Sequence, residues 1–274
     1  MTMTDDLLRD PDPEIRRAAV AELGTRSDGD QLAWLLADPD ETVRAAAAAA
    51  LRDLPEIYLG DDGIQALRLA AARGSDPGVR TTAAEMLALL IAGAREQYAE
   101  GLIEGEPQLR VQAVLGLVAL RAVSDVSEGA DDPSRDVRVA VAEGLGRLGA
   151  PAEALTALEQ LLADHDPVVR MAALDSAAAL GLPEPLPGRV ITAIAHSSWQ
   201  VRKRAVLALG SGDPEIAVNP LVHALRDRIV DVRRAAVQSL ERWATTHPEV
   251  VTALTESLND PDPGVRTQAR WALA

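Results

Sequence analysis

The sequence contains no cysteine and no phenylalanine, and aromatic residues make up only 2% of its 274 positions. Without thiols, a disulfide, a thiolate nucleophile and a sulfur-ligated zinc site are all excluded. With few aromatic side chains, and Val as the only abundant β-branched one, the 47% hydrophobic content is carried mostly by Ala, Leu and Val. That composition favours closely approaching helices over strands and points to an all-α fold.

Positive charge is also short. There are 27 Lys and Arg against 42 Asp and Glu, a formal net charge of -15. Nucleic-acid affinity comes largely from counterion release by clustered cations, so the balance argues against a general nucleic-acid partner. Long apolar runs are missing as well. The strongest, "MLALLIAGA" from Met86 to Ala94, lies between Glu85 and Arg95 and falls far short of the ~18 residues of a membrane span. The opening "MTMTDDLLRD" places two acids where an export signal needs bases, so the expectation is a cytoplasmic protein without a membrane partner.

What the chain does have is repetition. "DPDPEIRRAAVAELG" at Asp10 to Gly24 returns as "DPDPGVRTQARWALA" at Asp260 to Ala274, with seven further variants between them. The nine copies share Arg16, Arg44, Arg80, Arg110, Arg138, Arg170, Arg202, Arg233 and Arg266, on average roughly 31 residues apart, a period typical of solenoids and propellers. Periodicity separates the two. Val201, Ala205, Ala208 and Leu209 recur at helical spacing on one stripe, without the alternation of strands. In Asp12-Pro13, Asp76-Pro77, Asp166-Pro167 and Asp262-Pro263 an N-cap acceptor precedes a proline at the first helical position. Gly24, Gly146 and Gly210 are expected as left-handed helix ends.

A second apolar segment follows the arginine-bearing one, clearest in "PAEALTALEQLLAD", "EIAVNPLVHALRD" and "PEVVTALTESLND". Each repeat therefore reads as a helical hairpin that buries its stripe only by stacking on its neighbours. The "DPxxVRxxAxxxLG" phrase resembles the HEAT repeat, particularly the short bacterial form found also in phycobilin lyase-like proteins. The resemblance covers essentially the whole chain. It implies a right-handed α-solenoid of about nine HEAT-like hairpins, a single domain over 1–274, with the arginine-bearing helix lining the concave surface. It also implies that the arginines serve their own array by bonding the acidic caps or carbonyls of neighbouring loops. The pattern weakens at "DLPEIYLGDDG" and at "RAVSDVSEGADDPS", and no polar cap follows Trp271 and Leu273.

Catalytic signatures are sparse. His165, His196, His223 and His247 are scattered, with neither an HExxH motif nor the repeated His-Glu pairs of the di-iron hydroxylase branch of the family. There is no GxSxG elbow and no phosphate-cradling glycine loop. The expectation is a protein that is not an enzyme and carries no cofactor or metal.

The informative surface is the exposed side of the arginine-bearing helices. In the first six copies it carries Glu14, Glu41, Glu85, Asp136, Glu143 and Asp175 against Arg17 and Arg135; in the last three it carries Lys203, Arg204 and Arg234 against Asp231. Two electrical ends are expected. The basic end adds Trp199, Gln200, Gln238, Gln268 and Trp271, a composition of interface hot spots. With Lys203, Arg204 and Arg234 these form the candidate partner-binding set, while Trp34 and Trp243 are expected in core or hairpin contacts. The leading expectation is a protein-binding scaffold whose partner carries an acidic segment. Behind it stand an accessory or lyase-like subunit assisting modification of a partner protein, and a nucleic-acid-binding or DNA glycosylase-like protein.

Overall fold

The computed structural model describes residues 7–57 and 59–274, and among them it contains helices and no strand. All nine arginines of the repeated phrase lie on helices, from Pro13–Thr25 to Pro263–Ala272. Seven of these helices are followed by a separate second helix, such as Gly29–Leu35 after the first and Pro248–Ser257 after the eighth.

The third copy departs from the hairpin pattern. Its arginine-bearing helix continues unbroken from Pro77 to Glu104. Between Met86 and Glu104 the sequence offers no proline, and its Ala, Leu, Glu, Gln and Arg are strong helix formers that carry the helix across Gly93 and Gly101 as far as Gly105 and Pro107. The weak stretch after the fourth copy forms the short helix Val123–Glu128 and a 3-10 turn at Gly129–Asp131. There the small Ala122, Gly129 and Ala130 are buried where other repeats bury leucines.

The chain divides into two compact units, residues 1–96 and 97–274. In the first, Pro13–Thr25 packs on Glu41–Arg52, and Gly29–Leu35 packs on Asp61–Arg73. In the second, Pro107–Ala119, Arg135–Leu148, Pro167–Ala179, Trp199–Leu209, Val230–Glu241 and Pro263–Ala272 pack in that order. The shorter helices form the other layer of the second unit. Each unit is thus a solenoid-like stack with its own core, around Leu32, Leu51 and Leu67 in one and around Leu145, Leu174 and Leu209 in the other. The stripe of Val201, Ala205, Ala208 and Leu209 is fully buried.

Capping chemistry follows the sequence, with carboxylates of Asp12, Asp76, Asp166 and Asp262 accepting main-chain N–H groups of the first turn at 2.7–2.9 Å. The glycines are a correction. Gly24 and Gly146 lie inside their helices, and Gly210 ends its helix at φ -60, so none is left-handed. At Gly146 and Gly210 smallness serves helix approach. A Cβ on Gly146 would stand 2.6 Å from the Ser176 Oγ, and one on Gly210 would stand 2.7 Å from the Ser239 Oγ. Each serine donates across the interface, to the carbonyls of Ala142 (2.8 Å) and Val206 (3.1 Å). Positive φ falls instead at Gly149, Gly181 and three non-glycine residues.

Candidate functional site

The nine arginines behave as one structural device. Every one donates from its guanidinium to a main-chain carbonyl of the loop that leads into its own helix, as Arg16 does to Asp10, Arg138 to Asp132 and Arg266 to Asp260. Five also grip the next loop. Arg16, Arg110, Arg138, Arg202 and Arg233 donate from Nε and Nη2 to both carboxylate oxygens of Asp38, Asp132, Asp164, Asp227 and Asp260 at 2.7–3.2 Å. Each of these aspartates also accepts the N–H two residues ahead, as Asp164 does from Asp166 at 2.8 Å. Burial alone would push these carboxyls up. The arginine fork and the backbone N–H outweigh it and hold all five below the usual carboxylate range. These arginines are engaged inside the protein.

The aspartate register breaks at three places. Six residues before Arg80 stands Gly74, six before Arg110 stands Glu104, and six before Arg202 stands His196, where the remaining six copies carry Asp. His196 fills the same slot with Nδ1, which accepts from the Ser198 N–H at 3.1 Å. Arg170, lacking a carboxylate, donates only to the carbonyls of Asp164 and Ala163. Burial, followed by the charges of Arg170 and Arg202, pulls the His196 imidazole below its ordinary value.

Six of the eight candidate partner-binding residues lie on two adjacent helices. Trp199, Gln200, Lys203 and Arg204 lie on Trp199–Leu209, and Arg234 and Gln238 lie on the adjacent Val230–Glu241. Gln268 and Trp271 lie on Pro263–Ala272, which packs on the latter. Trp199 is half-buried against the core, whereas Trp271 is 70% exposed. Gln200 accepts from the Ser198 hydroxyl at 2.7 Å, and Gln268 is half-buried with its Oε1 enclosed and unpaired.

Ion pairing changes the charge of this face. Arg204 pairs with Asp175 of the preceding arginine-bearing helix, and Arg234 donates to the Asp262 cap of the following one at 2.8 and 3.2 Å. Glu14, Glu85 and Asp136 pair with Arg17, Arg52 and Arg135. The two electrical ends read from the sequence are therefore largely cancelled by contact pairs. Of the charges counted there, Glu41, Glu143, Asp231 and Lys203 make no ion pair among the described residues. Lys203 is half-buried, one turn from Trp199, and is the only lysine in the chain.

Sequence reasoning misplaced Trp34. Trp243 is buried as expected, with Arg242 over its ring at 5.4 Å, but Trp34 is 52% exposed at the rim of a pocket in the first unit. A cavity of about 680 Å³ opens between ladder loops of the second unit. Its charged lining includes the Arg138–Asp164 pair and the pair of Arg189 with Glu159 at 3.2 Å. Among the described residues no group of three or more His, Asp or Glu is placed to hold a metal ion, and no helix is long and apolar enough to cross a membrane.

The repeated arginine-bearing helices agree with the family comparison. The model of HEAT repeats matches residues 3–88, 123–188 and 189–274. The chain belongs to the HEAT-repeat family. The unmatched interval holds the end of the long helix and the fourth copy, whose Arg110–Asp132 pair nonetheless keeps the ladder geometry. No curated protein matches the sequence. Among solved structures this HEAT-repeat chain is similar to an engineered protein, at 19% identity over 98% of this chain and 87% of the other, TM-score 0.47. It is also similar to human deoxyhypusine hydroxylase in complex with glycerol, at 22% identity over 93% and 97%, TM-score 0.39. A third is Kap95p bound to RanGDP, at 16% identity over 98% of this chain but 44% of that one, TM-score 0.48.

Proposed function

We propose that this HEAT-repeat protein is a non-catalytic scaffold that binds another protein through the exposed side of its arginine-bearing helices. The contact surface centres on Trp199, Lys203, Gln238 and Trp271. Supporting this reading is the environment of Lys203: a half-buried cation without an ion pair among the described residues, one helical turn from Trp199, where the neighbouring Arg204 and Arg234 are already paired. Desolvating an already neutralised pair gains little, whereas an unpaired ammonium on the same helix face as a partly exposed indole attracts an acidic or aromatic-containing segment.

Because Lys203 is the only lysine, an amine-reactive cross-linker applied to the captured complex reports on this position and the N-terminal amine alone. The expected result is a cross-linked partner peptide at Lys203. Trp199→Ala combined with Lys203→Glu should weaken the complex about tenfold, ~1.4 kcal/mol, without unfolding the array. Glu41→Lys is the matched control. Normal binding by the double variant together with failure of the control would move the working surface to the first unit.

A further inference from the structure

Arg44 is the one arginine of the ladder whose Nε is buried without a hydrogen-bond partner among the described residues. Its Nη1 is used as in every repeat, donating to the carbonyls of Asp38 at 2.8 Å and Pro39 at 2.9 Å. In five other repeats the Nε edge of this arginine meets an aspartate carboxylate. Here the next loop presents Gly74. Its backbone leaves no place for a side-chain carboxylate, since a Cβ would stand 2.5 Å from the carbonyl oxygen of Ala70.

The space beside Arg44 is a pocket of about 290 Å³. Trp34, Leu36, Leu69, Arg73 and Gly74 line it with Arg44. Trp34 and Leu69 are 52% and 44% exposed. Arg73 is exposed and makes no ion pair or hydrogen bond among the described residues. An enclosed donor lacking its acceptor costs about 1–3 kcal/mol relative to a satisfied one, more when charged, and an apolar rim around a guanidinium favours an occupant with one carboxylate and one apolar side chain.

From this geometry we infer a second binding site, in the first unit, for a segment of a partner protein. The segment places an Asp or Glu carboxylate against the part of the Arg44 guanidinium that lines the pocket, next to its enclosed Nε, and an adjacent apolar side chain against Trp34 and Leu69. The partner carboxylate supplies the counter-charge that Asp164 supplies to Arg138, and Arg73 adds a second cation at the mouth. The exposed rim selects a peptide over a free carboxylate, because a small anion would leave Trp34 and Leu69 uncovered. The chain's net charge of -15 opposes an acidic peptide only at long range, and is screened beyond about 10 Å at 0.1 M salt.

The test uses the full chain with nitrogen-15-labelled tryptophan, the Trp34 indole signal being assigned with Trp34→Phe. The probes are the blocked peptide acetyl-Ala-Leu-Asp-Leu-Ala-amide, its Asp→Asn counterpart, and sodium acetate. The Asp peptide should shift the Trp34 signal saturably, and the Asn peptide should bind about tenfold more weakly. Arg44→Gln should abolish the difference between the two peptides. Because Arg44 also ties its own loop, Arg73→Gln and Leu69→Ala, both on the exposed rim, provide readouts that do not depend on that tie, and each should weaken the Asp peptide. Equal shifts from both peptides, no shift from either, or a shift by acetate as strong as by the Asp peptide would overturn the inference. Wild-type binding by Arg73→Gln and Leu69→Ala together would do the same. The patch around Lys203 is untouched by these variants, so the two readings fail separately.

Discussion

Asp164 closes both oxygens of its carboxylate on Arg138 of the preceding repeat, at 2.7 Å to Nε and 3.2 Å to Nη2, while its main-chain carbonyl accepts from Arg170 of its own. One residue therefore links two loops and one helix. Arg138 and Asp164 are each less than a tenth exposed, so removing one partner leaves the other as an enclosed charge. Arg138→Ala should cost about 3 kcal/mol. Arg170→Ala, which forfeits only carbonyl contacts, should cost clearly less. Thermal unfolding of the two variants side by side checks the ranking, and equal losses would contradict it.

Acid should unfold the ladder. The five aspartates have folded values lowered from the ordinary carboxylate value. Their contribution is complete above the unfolded value of about 3.9 and is lost as pH falls through the lower folded ones. Melting temperature followed from pH 5 downward should drop steeply below about pH 4. Asp164→Asn should start from a lower melting temperature and show a shallower acid limb. An unchanged limb would remove Asp164 from the set responsible.

His196 should carry the opposite lesson. Its folded value is depressed from 6.5, so the neutral ring is the stabilising form. That contribution is present above about 6.5 and fades as pH falls through the folded value. His196→Asp would restore the acceptor that Arg170 lacks while still receiving the Ser198 N–H. A gain on the order of 1 kcal/mol near neutral pH is expected, together with loss of the wild-type decline just below pH 6.5. A destabilised variant would show that the slot is shaped for imidazole.

The close crossing at Gly146 can be tested by enlargement. With the Ser176 Oγ 2.6 Å and its Cα 3.2 Å from where a Cβ would stand, Gly146→Val cannot be absorbed by a side-chain rotation alone. It should destabilise by about 2 kcal/mol. Adding Ser176→Ala should recover part of the loss. Full tolerance of the valine in chemical denaturation would mean that the helices separate at little cost.

The sequence by itself determined the helices and their repetition, because period, caps and apolar stripe are local properties that each copy carries complete. Nine arginines at one position of the phrase also announced a structural role, and the Asp-Pro steps announced helix starts that the side chains then cap. Tertiary structure alone decided which charges remain available. Arg204 and Asp175 are 29 residues apart, and Arg234 and Asp262 are 28 apart, so counting charges along a face could not reveal that they cancel across helices. The pocket at Arg44 had a faint signal, glycine six residues before Arg80 where six other copies carry aspartate. Its consequence appears only when the Nε of an arginine 30 positions earlier is found enclosed beside Trp34. Gly146 and Gly210 teach the same distinction: glycine is read locally as backbone freedom, while here the neighbouring helix, with its serine pressed close, sets the requirement.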